Sequence, residues 1–339
     1  MTKMSIVTPE ISSDKGGIQN WMFFTKLLLQ SNDYNVEHYA YKEDGFLPWF
    51  RLINKDIYLL ATWKMIFFIF PFIAISSGKK VIVFVHGNEF LNLKSFHNIV
   101  IGFLAKRKNT YFIANSTAIA DLFEDRTKRK VDFIQPPFMD IPKVDADNNI
   151  ISDNCIEFLT LTRLVNRKNV KSVILALSKI HKENKQFNFK YYIAGIGPEM
   201  NTLKKLVNDL GLVNKVFFLG KVDNKRKFEL YSNCNFFLLP SLYDKINGSI
   251  EGYGIVYIEA NTFGKPVLSG NTGGMTEAVI DGVTGLHCDG SVDDIYSKIL
   301  LLLASRFDSV VINKHAQNHH YVSQKDFIDF ICAISPESA

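Results

Sequence analysis

The chain has 339 residues, more than one compact core of ordinary size would hold, and suits two domains. Hydrophobic residues make up 47% of it and charged residues 22%, the balance of a soluble globular protein. The net charge of +5 suits an anionic ligand or an anionic membrane surface, but no dense basic block marks a nucleic-acid binder.

The N-terminus, MTKMSIVTPE, reads as a strand and lacks the basic–apolar–small pattern of a signal peptide. The loop after it, SSDKGGIQN, sets Gly16 and Gly17 just before an apolar helix. Paired glycines there let backbone N–H groups approach a phosphate or sugar, although two glycines in a turn serve structure as readily. The motif is not G-x-G-x-x-G, and no acidic residue ends the second strand, which counts against a nicotinamide dinucleotide.

Residues 57–76, IYLLATWKMIFFIFPFIAIS, are long enough to span a bilayer. Lys64 inside the stretch, Pro71, and the strand VIVFVH that follows favour a buried helix instead, with one face against lipid as an option. That next strand ends at His86, followed by Gly87. A neutral imidazole at a strand end can hydrogen-bond a sugar hydroxyl, or it can be structural.

Short apolar runs cover 4–9, 36–41, 81–86, 110–115 and 131–135, and then 156–162, 189–194, 215–219, 235–240 and 266–269. Such runs without alternation suit parallel strands buried on both faces. Between them Val170, Val173, Ile174, Leu177 and Ile180 form a helical stripe, and 199–210 reads similarly with Gly211 as its stop. The expected fold is α/β: two Rossmann-like, doubly wound domains facing a central cleft. The polar stretch 143–154 is the natural boundary, with domains at 1–150 and 151–315 and a helix at 316–339 packing back on the first.

In the second domain, Arg163 and Lys168 of TRLVNRKN follow a strand and suit a diphosphate, or form a solvated basic loop, with Arg167 expected to be exposed. AGIGPE at 194–199 gives a strand end and a helix start that turn chemistry alone explains. The stretch SIEGYGIVYIEA, 249–260, carries Glu251 and Glu259 eight positions apart around Gly252 and Gly254. If a helix begins near Gly254, the amides of Gly254, Ile255 and Val256 make an anion site with the helix dipole. Glu251 then lies before the helix and Glu259 about 7–8 Å along it, at about 1.5 Å per residue. A capping loop explains Glu251 but leaves a partly buried Glu259 without a reason. A second glycine loop, Gly273 and Gly274, opens after the strand at 266–269, ahead of a helix expected to begin at Glu277.

The only D-x-D, Asp145-Ala146-Asp147, lies in the presumed linker, and His319-His320 lacks partners at ligand spacing, so no metal is expected. The four cysteines show no paired spacing, which fits neither zinc nor disulfides and suits a reducing cytoplasm.

These motifs together resemble the glycosyl transferase group 1 family, retaining enzymes of the GT-B fold with an E-x7-E motif. The resemblance rests on EGYGIVYIEANTFGKPVLSGNTGGMTEAVIDGVTG, TRLVNRKN, AGIGPE, Leu219-Gly220 and LLPS at 238–241, with KGGIQN and VFVHGN in the first half. Between the motif's glycines Tyr253 stands where the family usually has Phe.

The resemblance implies that Arg163 and Lys168 hold a donor diphosphate and that Glu251 contacts the transferred sugar. Gly254, Ile255 and Val256 would meet the phosphate or sugar, and Glu259 the ribose. Gly16 and Gly17 would approach the diphosphate, and His86 would lie near sugar and acceptor. It implies a hexosyltransferase of surface polysaccharide or O-antigen synthesis, with a nucleotide sugar as co-substrate and no cofactor. The apolar stretch 57–76 and the mild positive charge suggest an acceptor near a membrane, a glycan or a polyprenyl-diphosphate-linked glycan, with a peripheral contact at the inner face of the cytoplasmic membrane, and nucleic acid is not expected as a partner. A nucleotide-sugar epimerase, a soluble-sugar synthase and a non-catalytic nucleotide-sugar-binding protein are the alternatives.

Overall fold

The computed structural model describes residues 2–13, 16–45, 47–91, 95–144, 155–244 and 248–335. The chain forms two compact units, Met1–Asp140 with His319–Ala339, and Ile141–Asn318. The D-x-D at 145–147 and most of the polar stretch around it lie outside the described residues.

Unit 1 is built on β1 (Lys3–Thr8), β2 (Asn35–Ala40), β3 (Ile57–Leu60), β4 (Lys80–Val85), β5 (Thr110–Ala114) and β6 (Phe133–Ile134). They pair in the order β2-β1-β3-β4-β5-β6, every pair parallel. Unit 2 carries β7 (Ile156–Leu161), β8 (Phe189–Ala194), β9 (Val216–Gly220), β10 (Phe236–Leu239), β11 (Val267–Gly270) and β12 (Gly285–Cys288). Their order is β12-β11-β10-β7-β8-β9, again all parallel. Helices connect the strands within each sheet, so each unit is a doubly wound Rossmann-like layer structure.

The apolar stretch 57–76 is not one helix. Ile57, Tyr58, Leu59 and Leu60 form β3, fully buried between β1 and β4. A 3₁₀ turn at Trp63–Met65 leads into a ten-residue helix, Ile66–Ile75, with Pro71 inside it. Periodicity cannot separate a short buried strand from a buried helix, and here the two sheet partners decide. No helix among the described residues is long and apolar enough to cross a membrane. β12 also escapes a search for apolar runs, because its sequence GLHC holds a glycine and a histidine. The helix expected from Glu277 is the short Met275–Ala278, which begins two residues earlier.

In unit 2 the stripe Val170, Val173, Ile174, Leu177 and Ile180 faces inward from the helix Val170–Glu183, against Phe158, Phe189 and Leu203. In unit 1 the final helix, Lys325–Ala333, closes the β5–β6 edge. Phe330 stacks on Phe133 at 4.9 Å, and Phe327 meets Phe138 edge-on at 5.7 Å. Met139 N donates to His319 O at 3.0 Å and Tyr321 N to Met139 O at 2.9 Å, which fastens the returning chain.

Because Phe327 is fully buried, Phe327→Ala is expected to lower stability in urea unfolding by about 3–5 kcal/mol. A loss below about 1 kcal/mol would mean that this helix is not part of the unit's core.

Candidate functional site

In unit 2 the chain winds one way from β7 to β8 and β9, and the other way from β10 to β11 and β12. The loops after β7 and β10 therefore diverge, and a crevice opens between them at the carboxyl end of the sheet. Both loops carry motif residues.

After β7 comes a 3₁₀ turn, Asn166–Lys168, ending at Asn169 with φ +56°. Neighbouring loops clamp it. Leu164 N donates to Ile196 O at 3.0 Å and Glu199 N to Leu164 O at 3.1 Å, so AGIGPE acts as a buttress for this turn. On the other side Leu242 N donates to Arg167 O at 2.7 Å, and Asn169 Nδ2 to Gly290 O at 2.8 Å.

After β10 the chain runs to Glu251, whose carboxylate points back at the first loop. Arg167 donates to Glu251 Oε2 at 2.9 Å, and Lys168 Nζ bonds the same oxygen. All three side chains are largely buried, with 18%, 10% and 15% exposed for Arg167, Lys168 and Glu251. Burial alone would raise the Glu251 carboxyl, but Lys168 and Arg167 outweigh it and hold the group below its ordinary value. Burial draws the Lys168 ammonium down; Glu251 opposes this, and Arg167 and Arg163 add to it.

Arg167 is thus a principal partner of Glu251 rather than an exposed neighbour. The tight turn aims consecutive residues 167 and 168 at one carboxylate, and Arg163 is the exposed cation of this loop. The sequence signal was present: a buried carboxylate needs cations, and N-R-K offers two side by side.

The loop from Glu251 to Gly254 rests on the second glycine loop. Gly274 N donates to Glu251 O at 3.2 Å, and a Cβ on Gly274 would lie 2.0 Å from Gly252 O. Only glycine permits so close an approach. Gly254 then caps the helix Ile255–Thr262 at φ +94°, where a Cβ would meet the Tyr257 ring at 2.2 Å. The amides of Gly254, Ile255 and Val256 head this helix, positions with no carbonyl one turn earlier in the helix.

Glu259 lies one turn into the same helix. Lys227 Nζ bonds its Oε1 at 2.7 Å and the Tyr231 hydroxyl donates to Oε2 at 3.0 Å, both from the helix Asn224–Asn233. Burial first, and then the charge of Glu259, raise the Tyr231 phenol well above its ordinary value, so it stays a donor. No motif points to Lys227 or Tyr231; only the general need of a buried carboxylate for partners does.

The remaining candidates lie in unit 1. Gly16 and Gly17 open the helix Gly16–Ser31 after β1, both exposed, and a Cβ on Gly17 would meet nothing within 4 Å. His86 follows β4. Its N–H donates to Glu89 Oε1 at 2.7 Å, and Nε2 lies 2.8 Å from Ala61 O. A carbonyl only accepts, so Nε2 carries the proton and Nδ1 is the acceptor nitrogen. Its ring meets Trp21, from the first helix, edge-on at 5.4 Å. Burial lowers the imidazole's pKa, with Glu89 and the Ala61 bond opposing, which favours the neutral ring. The structure therefore joins Lys168 and Glu251 directly, sets Arg163, Gly254, Ile255, Val256 and Glu259 on the two loops and the helix around them, and places Gly16 and Gly17 at a helix start and His86 at a strand end of unit 1. No group of three or more His, Cys, Asp or Glu among the described residues is arranged to hold a metal ion.

Residues 144–319 match the family described as glycosyl transferases group 1. The chain belongs to that family. A GDP-mannose-dependent alpha-(1-6)-phosphatidylinositol monomannoside mannosyltransferase of Mycobacterium tuberculosis is 35% identical over 153 residues, 45% of this chain and 39% of that protein. Alpha-1,3/1,6-mannosyltransferase ALG2 of Dictyostelium discoideum is 28% identical over 52% of this chain and 44% of that protein. The chain thus aligns with about two-fifths of the length of the curated relatives it matches. Among solved structures, Anabaena HepE in complex with UDP superposes with TM-score 0.72 at 20% identity, covering 97% of this chain and 100% of that one. Sucrose-phosphate synthase from Thermosynechococcus elongatus gives 0.75 at 16% identity, covering 99% and 100%. The fold is GT-B.

A carboxyl depressed in the folded state adds stability that is whole above its ordinary value of 4.5 and is lost as pH falls through the folded value. Glu251→Gln, which leaves two buried cations without their anion, is expected to cost roughly 3–5 kcal/mol at about pH 7. Its stability should also fall less steeply than that of the natural chain between about pH 5 and 3. Parallel curves in pH-dependent urea unfolding would contradict the ion-pair account.

Proposed function

We propose that the protein is a retaining glycosyltransferase that moves a hexose from a UDP- or GDP-sugar to a glycan acceptor, lipid-linked, in surface polysaccharide synthesis. The observation that carries this reading is the pair Arg167 and Lys168 on Glu251, with Arg163 in electrostatic reach of Lys168, three cations to one carboxylate at the switch point of the sheet. The surplus positive charge suits a diphosphate, while the carboxylate suits hydroxyl donors. Family membership supports the reaction class. The GDP-mannose-dependent phosphatidylinositol monomannoside mannosyltransferase among this chain's relatives supports a nucleotide-sugar donor and a lipid-borne acceptor.

In this reading Arg163, Arg167 and Lys168 receive the diphosphate together with the amides of Gly254, Ile255 and Val256. Glu251 accepts hydrogen bonds from the sugar, and Glu259, braced by Lys227 and Tyr231, accepts those of the ribose. The family resemblance assigns Gly16 and Gly17 to the donor diphosphate and His86 to a hydroxyl of sugar or acceptor.

The bond from the anomeric carbon to the diphosphate oxygen breaks, and the bond to the acceptor oxygen forms on the same face. The acceptor's proton passes to the leaving phosphate. The developing negative charge lies on that phosphate, where preorganised cations and amides stabilise it most in the transition state. Glu251 positions the sugar and is no general base, because Arg167 and Lys168 hold it as the anion with a depressed proton affinity.

A thermal-shift screen against UDP-, GDP-, ADP- and dTDP-sugars should pick out one donor class, since a ligand binding only the folded state raises the unfolding temperature. With that donor, Glu251→Ala is expected to cut kcat by about 100-fold or more while changing donor affinity by less than about tenfold. Near-normal turnover in Glu251→Ala would sink this assignment. Donor turned over to an epimer with no acceptor present would replace transfer by epimerisation.

A further inference from the structure

Unit 1 exposes a face with the wrong chemistry for water. The helix Ile66–Ile75, IFFIFPFIAI, contains no polar side chain. Ile66, Ile69 and Ile73 turn into the core. On the other side of the helix Phe67, Phe70, Pro71, Ala74 and Ile75 are exposed and recur at the spacing of one helical face. Phe67 is 53% exposed, Phe70 49% and Ile75 87%.

The patch continues onto the helix Ser95–Lys106, where Ile99 and Phe103 are also exposed, and the rings of Phe70 and Phe103 lie 5.9 Å apart. Single exposed apolar residues are ordinary, but a contiguous set across two helices marks an interaction surface.

Charge says what covers it. Between positions 57 and 120 there are seven Lys or Arg and one acidic residue, Glu89. That is +6 in this segment alone, against +5 for the whole chain. Exposed Lys64 stands three residues before Phe67, and exposed Lys106 three residues after Phe103, at the borders of the apolar face. A second copy of the chain would bring the same positive field against itself, so self-association on this face is opposed. An anionic lipid surface accepts both features, apolar rings at the acyl boundary and ammonium groups at the phosphates. The helix, about 15 Å long at 1.5 Å per residue, lies on such a surface and does not cross it.

We propose that Phe67, Phe70, Ile75, Ile99 and Phe103, bordered by Lys64 and Lys106, form a docking face for anionic lipid bilayers. The inference deepens the reading of a lipid-linked acceptor and rests on it for its purpose, but the contact itself needs neither donor nor acceptor.

The test is co-sedimentation of the full chain with vesicles of phosphatidylcholine alone or with about one-third phosphatidylglycerol, no sugar nucleotide being present. The natural chain should sediment with the anionic vesicles and be released as salt rises. Phe70→Ser/Phe103→Ser should lose about tenfold or more in vesicle affinity, and Lys64→Glu/Lys106→Glu should lose both affinity and its salt dependence. Unchanged thermal unfolding checks that both variants are folded.

Failure of the folded natural chain to bind anionic vesicles overturns the proposal, as does binding by either variant as tight as that of the natural chain. A dimer that Phe70→Ser/Phe103→Ser converts to monomer, without vesicle affinity in the natural chain, assigns the face to a second copy instead. Transfer to a water-soluble acceptor is measured separately, so loss of the catalytic reading and loss of the docking face give different results.

Discussion

One carboxylate organises the candidate site. Glu251 belongs to the loop after β10 and its partners Arg167 and Lys168 to the loop after β7, so the ion pairs tie together two chain segments that diverge from the switch point of the sheet. A carboxylate this buried is tolerable only with cations and good geometry. The nearby backbone serves that geometry. Gly274 lets the second glycine loop support Glu251 from below, AGIGPE braces the turn that aims the two cations, and Gly254 turns the chain into its helix directly afterwards. Backbone bonds such as Leu242 N to Arg167 O also join these loops, but without Glu251 they would hold two cations together with no anion between them.

Glu259 is compensated differently. It sits five residues beyond Gly254, about 7.5 Å along a helix rising about 1.5 Å per residue, and is held by one cation and one phenol instead of two cations. The two glutamates of SIEGYGIVYIEA therefore do not share an environment, nor do they face each other as an acid–base pair. Two anions lie on either side of a helix N-terminus, each already committed to a cationic partner from a different element. Hydroxyl-rich groups can enter at both ends, and a negative group can enter between them where the amides of Gly254, Ile255 and Val256 begin the helix.

Much of this frame was legible in the residues. The apolar runs gave ten of the strands, and the stripe from Val170 to Ile180 gave the helix that follows β7. The helix start at Ile255 follows from Gly254. What escaped did so for physical reasons. β3 has no alternation and merges with an apolar helix, so local pattern carries no boundary, and only its pairing with β1 and β4 does. β12 is too polar and too short to stand out. Arg167 looked like a surface residue because arginine usually is one, and its role depends on a turn conformation that composition does not encode. Lys227 and Tyr231 lie 32 and 28 residues from Glu259, and only the fold brings them to it.

On the proposed function, the cations around Glu251 are there for a diphosphate. Calorimetric titration of the protein with a nucleoside, its monophosphate and its diphosphate, for uridine and guanosine, tests it most directly. For one of the two bases the diphosphate should bind about 100-fold or more tighter than the nucleoside, about 2.7 kcal/mol or more. Most of that advantage should vanish in Lys168→Met. A nucleoside that binds as tightly as its diphosphate, or a Lys168→Met protein that keeps the full difference, would contradict the account.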